Sequence, residues 1–230
     1  MARHRSDGLQ TRGKLLSAAG AVFAEKGFRD ATTAEICRKA GANIAAVNYH
    51  FRSKEQLYVE AWRYAFERSV EAYPPDGGVP AAAPAEDRLR GRIRALVGRM
   101  MDPGSLDFDI AHKEMANPTG LLGEVMHRAI EPMRRGFMDL VRELLGGRAA
   151  SRQVQLCAMS IHAQCSMPLL CERRRKMLEG RGAPPGPPRL NVAAGELSEH
   201  IFHFSLAGLR VVKSPRGRRT RAGVAARVKR

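Results

Sequence analysis

"GANIAAVNYHFRSKE", residues 41–55, reads as one short helix with its stop and the start of the next. Asn43 is a good helix cap, and Ser53 is another, placed just before the charged pair Lys54–Glu55. Between the caps, Ile44, Val47 and Phe51 are expected to face inward. At about 100° per residue, Ala45, Ala46 and Tyr49 then lie on the opposite side. Asn48 and His50 flank them. The outer face thus consists of small residues, a phenol and an amide, with cations just past the helix end. Small residues permit close approach to another surface, and the major groove of DNA is wide enough to admit a helix.

The segment before it is "DATTAEICRKAG", residues 30–41. Thr32 or Thr33 can cap a helix of about two turns, with Ile36 and Ala40 on one face and Gly41 as its stop. Two short helices joined by "GAN" form a helix-turn-helix, in which the second helix projects from the surface. In that arrangement Tyr49 can donate to a phosphate or stack on sugar and base edges. Lys54 and the free N–H groups of the next helix can meet one phosphate. Thr32 and Thr33 open the first helix of the pair and can do the same with their hydroxyls, beside Ala34. The bare spacing is also what any pair of short amphipathic helices shows.

Helical periodicity extends outward from this core. Leu15, Leu16, Ala19, Val22 and Phe23 place a first helix over about 10–26, stopped at Gly27. Ser53 caps a fourth, with Leu57, Ala61, Tyr64, Ala65 and Trp62 as its apolar set. "YPPDGGVPAAAPAE", residues 73–86, reads as a linker. Further helices are expected over about 86–101, 106–116, 119–145, 149–178 and 192–212. Thr119 is the expected cap of the third of these, which Pro132 breaks or kinks. Pro168 lies inside the next, and the Pro/Gly-rich 180–190 is a loop. No alternating strand pattern competes, so the fold class is all-α.

Among the 230 residues, 44% are hydrophobic, enough for a packed core, and the formal charge is +16. A protein this basic commonly meets a polyanion. Residues 213–230 carry eight basic and no acidic residues, half the net charge, and read as a disordered tail. No apolar run is read as approaching bilayer length, and "MARHRSDGLQTRGK" lacks the apolar core of a secretory signal. The expected address is the cytoplasm, with Cys37, Cys157, Cys165 and Cys171 as free thiols.

"TTAEICRKAGANIAAVNYHFRSKEQLY" strongly resembles the DNA-binding domain of TetR-family transcriptional regulators. The matching positions are Thr32, Thr33, Ala40, Gly41, Ala45, Tyr49, His50, Phe51, Lys54, Glu55 and Leu57, and the likeness covers roughly residues 9–60. One position departs: the family usually places a phosphate-contacting Tyr where this chain has Asn48. Asn binds phosphate, or adenine if the helix sits deeply. Ile44 replaces a commonly polar residue and either touches a thymine methyl or packs. "HKEMANPT", "AIEPM" and "LLGG" resemble, more loosely, the branch with a CerR-type effector domain.

The resemblance implies a ligand-responsive repressor that binds a palindromic double-stranded operator as a homodimer and is released by a small-molecule effector. The expected DNA contacts are Thr32, Thr33, Ala34, Asn43, Ile44, Ala45, Ala46, Asn48, Tyr49, His50 and Lys54. The expected division is a DNA-binding domain over 1–58, an effector and dimerisation domain over 59–212, and the tail. Segment 149–170 and the last helix are the interface candidates. Phe108, His112, Met115, Met126, Met133, Met159 and His162 are the candidates for the effector pocket, since Met adapts to varied apolar ligands. Met at helical spacing is nonetheless more often plain core.

Three rival readings remain. The tail alone makes a non-specific nucleic-acid binder conceivable. "LCAMSIHAQCSMPLLC", residues 156–171, brings Cys157, His162 and Cys165 near one helix face, as a thiol-based redox or metal sensor would need. No CxxC pair accompanies them, so free core thiols are the plainer reading and no metal or cofactor is expected. His200 and His203 near Glu199 are read the same way. A Cys–His nucleophile pair lacks a phosphate loop or nucleophile elbow, so no enzyme activity and no catalytic residue is expected.

Overall fold

The computed structural model describes residues 2–178 and 191–213, together with their side chains except at 2–7, 169 and 173–178. Among the described residues there are nine helices and no strand. They are α1 (Ala2–Asp30), α2 (Thr33–Ala40), α3 (Ile44–Phe51), α4 (Lys54–Ala72), α5 (Ala85–Met101), α6 (Leu106–Ala116), α7 (Gly123–Leu144), α8 (Ser151–Leu178) and α9 (Ala194–Lys213). The all-α expectation holds. The tail expected over 213–230 lies, beyond Lys213, outside the described residues, as does the loop 180–190.

The chain packs as two units, and the division is not linear. One comprises the residues up to Ala72 together with Asp102–Glu131; the other comprises Tyr73–Met101 and the residues from Pro132 onward. The sequence boundary at 58/59 falls inside α4, a continuous helix, and α6 joins the first unit.

In the first unit, the core consists of Leu15, Leu16, Ala19, Val22 and Phe23 of α1 packed with Ile36, Val47, Phe51, Leu57, Tyr58, Ala61, Trp62 and Ile110. Phe23 and Tyr58 meet edge to face at 4.7 Å between ring centroids. A buried polar knot ties α4 to the end of α6. The Tyr58 hydroxyl donates to Glu114 Oε2 at 3.1 Å. The Thr119 hydroxyl and the N–H groups of Thr119 and Gly120 donate to the same carboxylate at 2.9, 2.9 and 3.1 Å. Burial, followed by the Glu114 charge, pushes the Tyr58 phenol well above its ordinary range. Thr119 therefore closes this knot and does not cap α7, which begins only at Gly123.

In the second unit, α5, the later part of α7, α8 and α9 share one core around Leu89, Ile93, Leu140, Val154, Ile161, Ile201 and Phe202. The segment 73–84 is no free linker. Gly77, at φ 68°, lies so close to α5 that a Cβ there would stand 2.2 Å from the Gly91 carbonyl oxygen. Only glycine permits that approach. Pro132 lies within α7, which continues past it as one helix.

Candidate nucleic-acid interface

Capping sets the frame of α2 and α3. Thr32, not Thr33, caps α2: its Oγ1 accepts from the Glu35 N–H at 3.2 Å. Gly41 takes the left-handed conformation at φ 64°, and the N–H groups of Gly41 and Ala42 close back onto the carbonyls of Arg38 and Cys37. Asn43 caps α3, its Oδ1 accepting from the Ala46 N–H at 2.9 Å. Ser53 caps α4 through the Gln56 N–H at 3.2 Å. The Glu55 carboxyl, held by its own backbone N–H and then by Ser53, lies below the usual carboxylate range.

Val47 and Phe51 are each 1% exposed, so they anchor α3. Arg12 adds a second anchor: its guanidinium lies 5.3 Å from the Phe51 ring and hydrogen-bonds Glu60 at 2.9 Å. Tyr49 points away from this core and is 83% exposed. Ala45 and Asn48 are exposed, whereas Ala46 and His50 are half-buried. Tyr49 and His50 rings meet edge to face at 5.0 Å. Ile44 corrects the expectation of an inward side chain, because it is 53% exposed. At the first position of a short helix, no preceding turn covers it.

The remaining predicted contacts divide. Thr32 and Ala34 are exposed and Thr33 is half-buried. The Asn43 and Thr32 oxygens already accept capping bonds. Lys54 is half-buried, with its ammonium 4.6 Å from the centroid of Phe28. Two exposed cations went unread in the sequence, Arg38 and Lys39 in the last turn of α2, and Arg52, one of the cations past the end of α3, is exposed as well. Arg52 has φ 63° and ψ −42°, and the Ser53 N–H reaches over it to the Phe51 carbonyl at 2.7 Å. That is a γ-turn of the strained kind. Helix periodicity carries no signal for it.

The seven pocket candidates fall into different units. Phe108, His112, Met115 and Met126 belong to the first, and Met133, Met159 and His162 to the second. Met115 is 66% and Met159 63% exposed, which removes both from the interior of their own units. His162 is also exposed by area, although neighbouring atoms crowd it enough to lower its pKa by desolvation. Phe108, His112, Met126 and Met133 are half-buried. None of the seven lines the open groove of about 670 Å³ between α8 and α9, whose walls include Leu156, Ser160, Gln164, Phe204, Gly208 and Val211.

Ser151–Glu172 of α8 is long and apolar enough, by length and composition, to cross a membrane, which corrects the reading that no run approaches that length. The same helix buries Val154, Ala158, Ile161 and Cys165 in the core of its unit. Burial pushes the Cys165 thiol up to about 12, so it holds its proton at neutral pH. Among the described residues the four cysteines are free, and no three His, Cys, Asp or Glu side chains gather as a metal site.

Residues 15–61 match the family described as bacterial regulatory proteins, tetR family. Residues 85–209, more than half of the chain, match the C-terminal domain of the HTH-type transcriptional dual regulator CecR, the branch expected as CerR-type. The chain is 32% identical over 149 residues to CecR of Shigella flexneri, covering 60% of this chain and 66% of that protein, just under two thirds. It is 33% identical over 90 residues to the transcriptional repressor KstR2 of Mycobacterium tuberculosis, covering 36% of this chain and 41% of that protein. In fold it is similar to the fatty acid degradation regulator FadR of Bacillus halodurans, with a TM-score of 0.64 at 15% identity over 87% of this chain and 96% of that one.

Proposed function

The chain belongs to the TetR family of transcriptional regulators, in the branch carrying the CecR C-terminal domain, and from that premise we propose a cytoplasmic homodimeric repressor that leaves its operator when a small-molecule effector binds. The observation that carries the DNA-binding half is the contrast within α3: Tyr49 stands free in solvent while Val47 and Phe51, two residues to either side, are sealed in the core. Such a helix presents a rigid outward face. Paired by a two-fold axis, two copies read half-sites about 34 Å apart, one duplex turn.

Support for pairing comes from the α8–α9 face. Leu156, Met159 and Met167 of α8 and Phe204 and Val211 of α9 are exposed at helical spacing. Large apolar side chains left exposed together on two packed helices suit an interaction surface. It agrees with the interface candidates 149–170 and the last helix. Residues 1–58 remain the proposed DNA-reading segment and 59–212 the effector and pairing segment. An effector acts only by preferring a dimer whose recognition helices no longer match the half-site spacing.

Band-shift titration on the DNA upstream of the chain's own gene tests the reading. Retention of that DNA over random duplex at moderate salt is expected. Equal retention of both rejects it. Tyr49→Ala should weaken every site about tenfold, because a phosphate contact carries no sequence information. The rival, non-specific binding through 213–230, is favoured only by the charge held there, and a chain ending at Val212 distinguishes it: the repressor keeps its selectivity.

A further inference from the structure

Most of the groups on the outward surface of α2 and α3 are unsuited to reading bases. The Thr32 and Asn43 side-chain oxygens accept the capping N–H groups of Glu35 and Ala46. Lys54 covers the Phe28 ring, and Ala46 and His50 are half-buried. Ala45 offers a single methyl. Tyr49 carries its one polar atom at the tip of a long, 83% exposed ring, which suits backbone phosphate. Arg52 lies beyond the last helical turn, at the apex of the γ-turn that redirects the chain.

Two side chains of α3 itself remain, the exposed cations Arg38 and Lys39 lying on α2. Ile44 is 53% exposed, although it is large, branched and apolar. The Asn48 carboxamide is exposed and has no hydrogen-bond partner among the described residues. The two are one helical turn apart, on one edge of the outward face. An aliphatic side chain makes apolar contact with the thymine 5-methyl group. A planar carboxamide, donor and acceptor side by side, matches adenine N7 and N6–H in the major groove.

We propose that Ile44 and Asn48 are the specificity-determining residues of α3, Ile44 against a thymine methyl and Asn48 paired with an adenine in each half-site. One turn of helix advances about 5.4 Å. The two bases therefore lie within about two base steps, at 3.4 Å each. This inference rests on the operator-binding reading above.

The test begins with selection of bound sequences from random duplexes by the full-length protein. A palindromic motif with a thymine and an adenine within two steps in each half is expected. The selected duplex is then rebuilt, in one half-site, with uracil for that thymine, which deletes only the methyl, or with 7-deazaadenine for that adenine, which deletes only N7. Uracil should weaken wild-type binding about fourfold, the worth of one buried methyl, and 7-deazaadenine about tenfold. Ile44→Ala should be insensitive to uracil, and Asn48→Ala insensitive to 7-deazaadenine. Both positions are exposed, so the variants should fold, and the base analogues need no variant at all.

A motif lacking that pair, or analogues that leave wild-type affinity unchanged, overturns the assignment while the regulator reading stands. Selection that yields no motif at all overturns both.

Discussion

The faces of α3 and of α8–α9 both expose side chains that a buried core would readily accept, but they differ in kind. On α3 the outward set is Ala45, Asn48 and Tyr49, with one aliphatic, Ile44, at the helix start. On α8 and α9 it is Leu156, Met159, Met167, Phe204 and Val211, large groups of which Leu156, Phe204 and Val211 line the groove. The first set is small, amide-bearing and phenolic, so it suits a polar groove walled by phosphates. The second offers area and little polarity, as a surface meant for another protein does. Exposure alone does not distinguish the two partners; the size and polarity of what is exposed do.

A charge on the second face should have the largest effect. Phe204→Glu places a carboxylate in the wall of the α8–α9 groove, where the proposed pairing would bury it. Sedimentation should show monomers, and operator affinity should fall about a hundredfold or more, because a lone helix-turn-helix holds only one half-site. Phe204 is 64% exposed, so circular dichroism should stay that of the native chain. A variant that still sediments as a dimer would remove the α8–α9 face from the pairing surface.

A buried change in the unit that carries the first face should have a smaller effect, and on stability. Glu114→Ala leaves the Tyr58 hydroxyl and the Thr119 and Gly120 N–H groups without their acceptor. The expected loss is about 3 kcal/mol by denaturant titration, against about 1 kcal/mol for Tyr58→Phe, which removes a donor and leaves nothing stranded but one accepting site. Equal losses would mean that Glu114 is held mainly by packing.

That knot also shows where sequence reading stops. The cap residues Asn43 and Ser53 and the stop Gly41 are visible as letters, because a cap depends only on its own next three residues. Thr119 has the same letter-level signature, yet it turns to Glu114, five residues back, and no local rule ranks a buried carboxylate above a free helix end. Ile44 fails for a related reason. Periodicity assigns it to the core side, but it lacks the preceding turn that would bury it. The Pro/Gly/Ala composition of 73–84 is the same whether a segment dangles or packs, and the contact of Gly77 on Gly91 is a tertiary fact. The proposed base contacts were legible as candidates; choosing among them required knowing which oxygens the caps occupy and that Lys54 lies over Phe28.

The smallest effect is expected at Arg52, and it should separate stability from affinity. A non-glycine residue at φ 63° costs about 1–2 kcal/mol. Glycine removes that cost but raises the entropy of the unfolded chain, worth about 0.5–1 kcal/mol the other way. Arg52→Gly should therefore stabilise the protein by about 0–1.5 kcal/mol. The same change deletes an exposed cation beside the α3 face. If Arg52 meets a phosphate in each half-site, the slope of log affinity against log salt should become shallower by about 1.8, the share of two neutralised phosphates, one per protomer. Sequence preference should not move, because Arg52 lies past the base-reading edge. A protein that is more stable, binds somewhat less tightly and keeps the same motif would show that the γ-turn places charge at the expense of backbone comfort. An unchanged salt slope would leave the turn as a device for aiming α3 alone, with its strain serving geometry and not the polyanion.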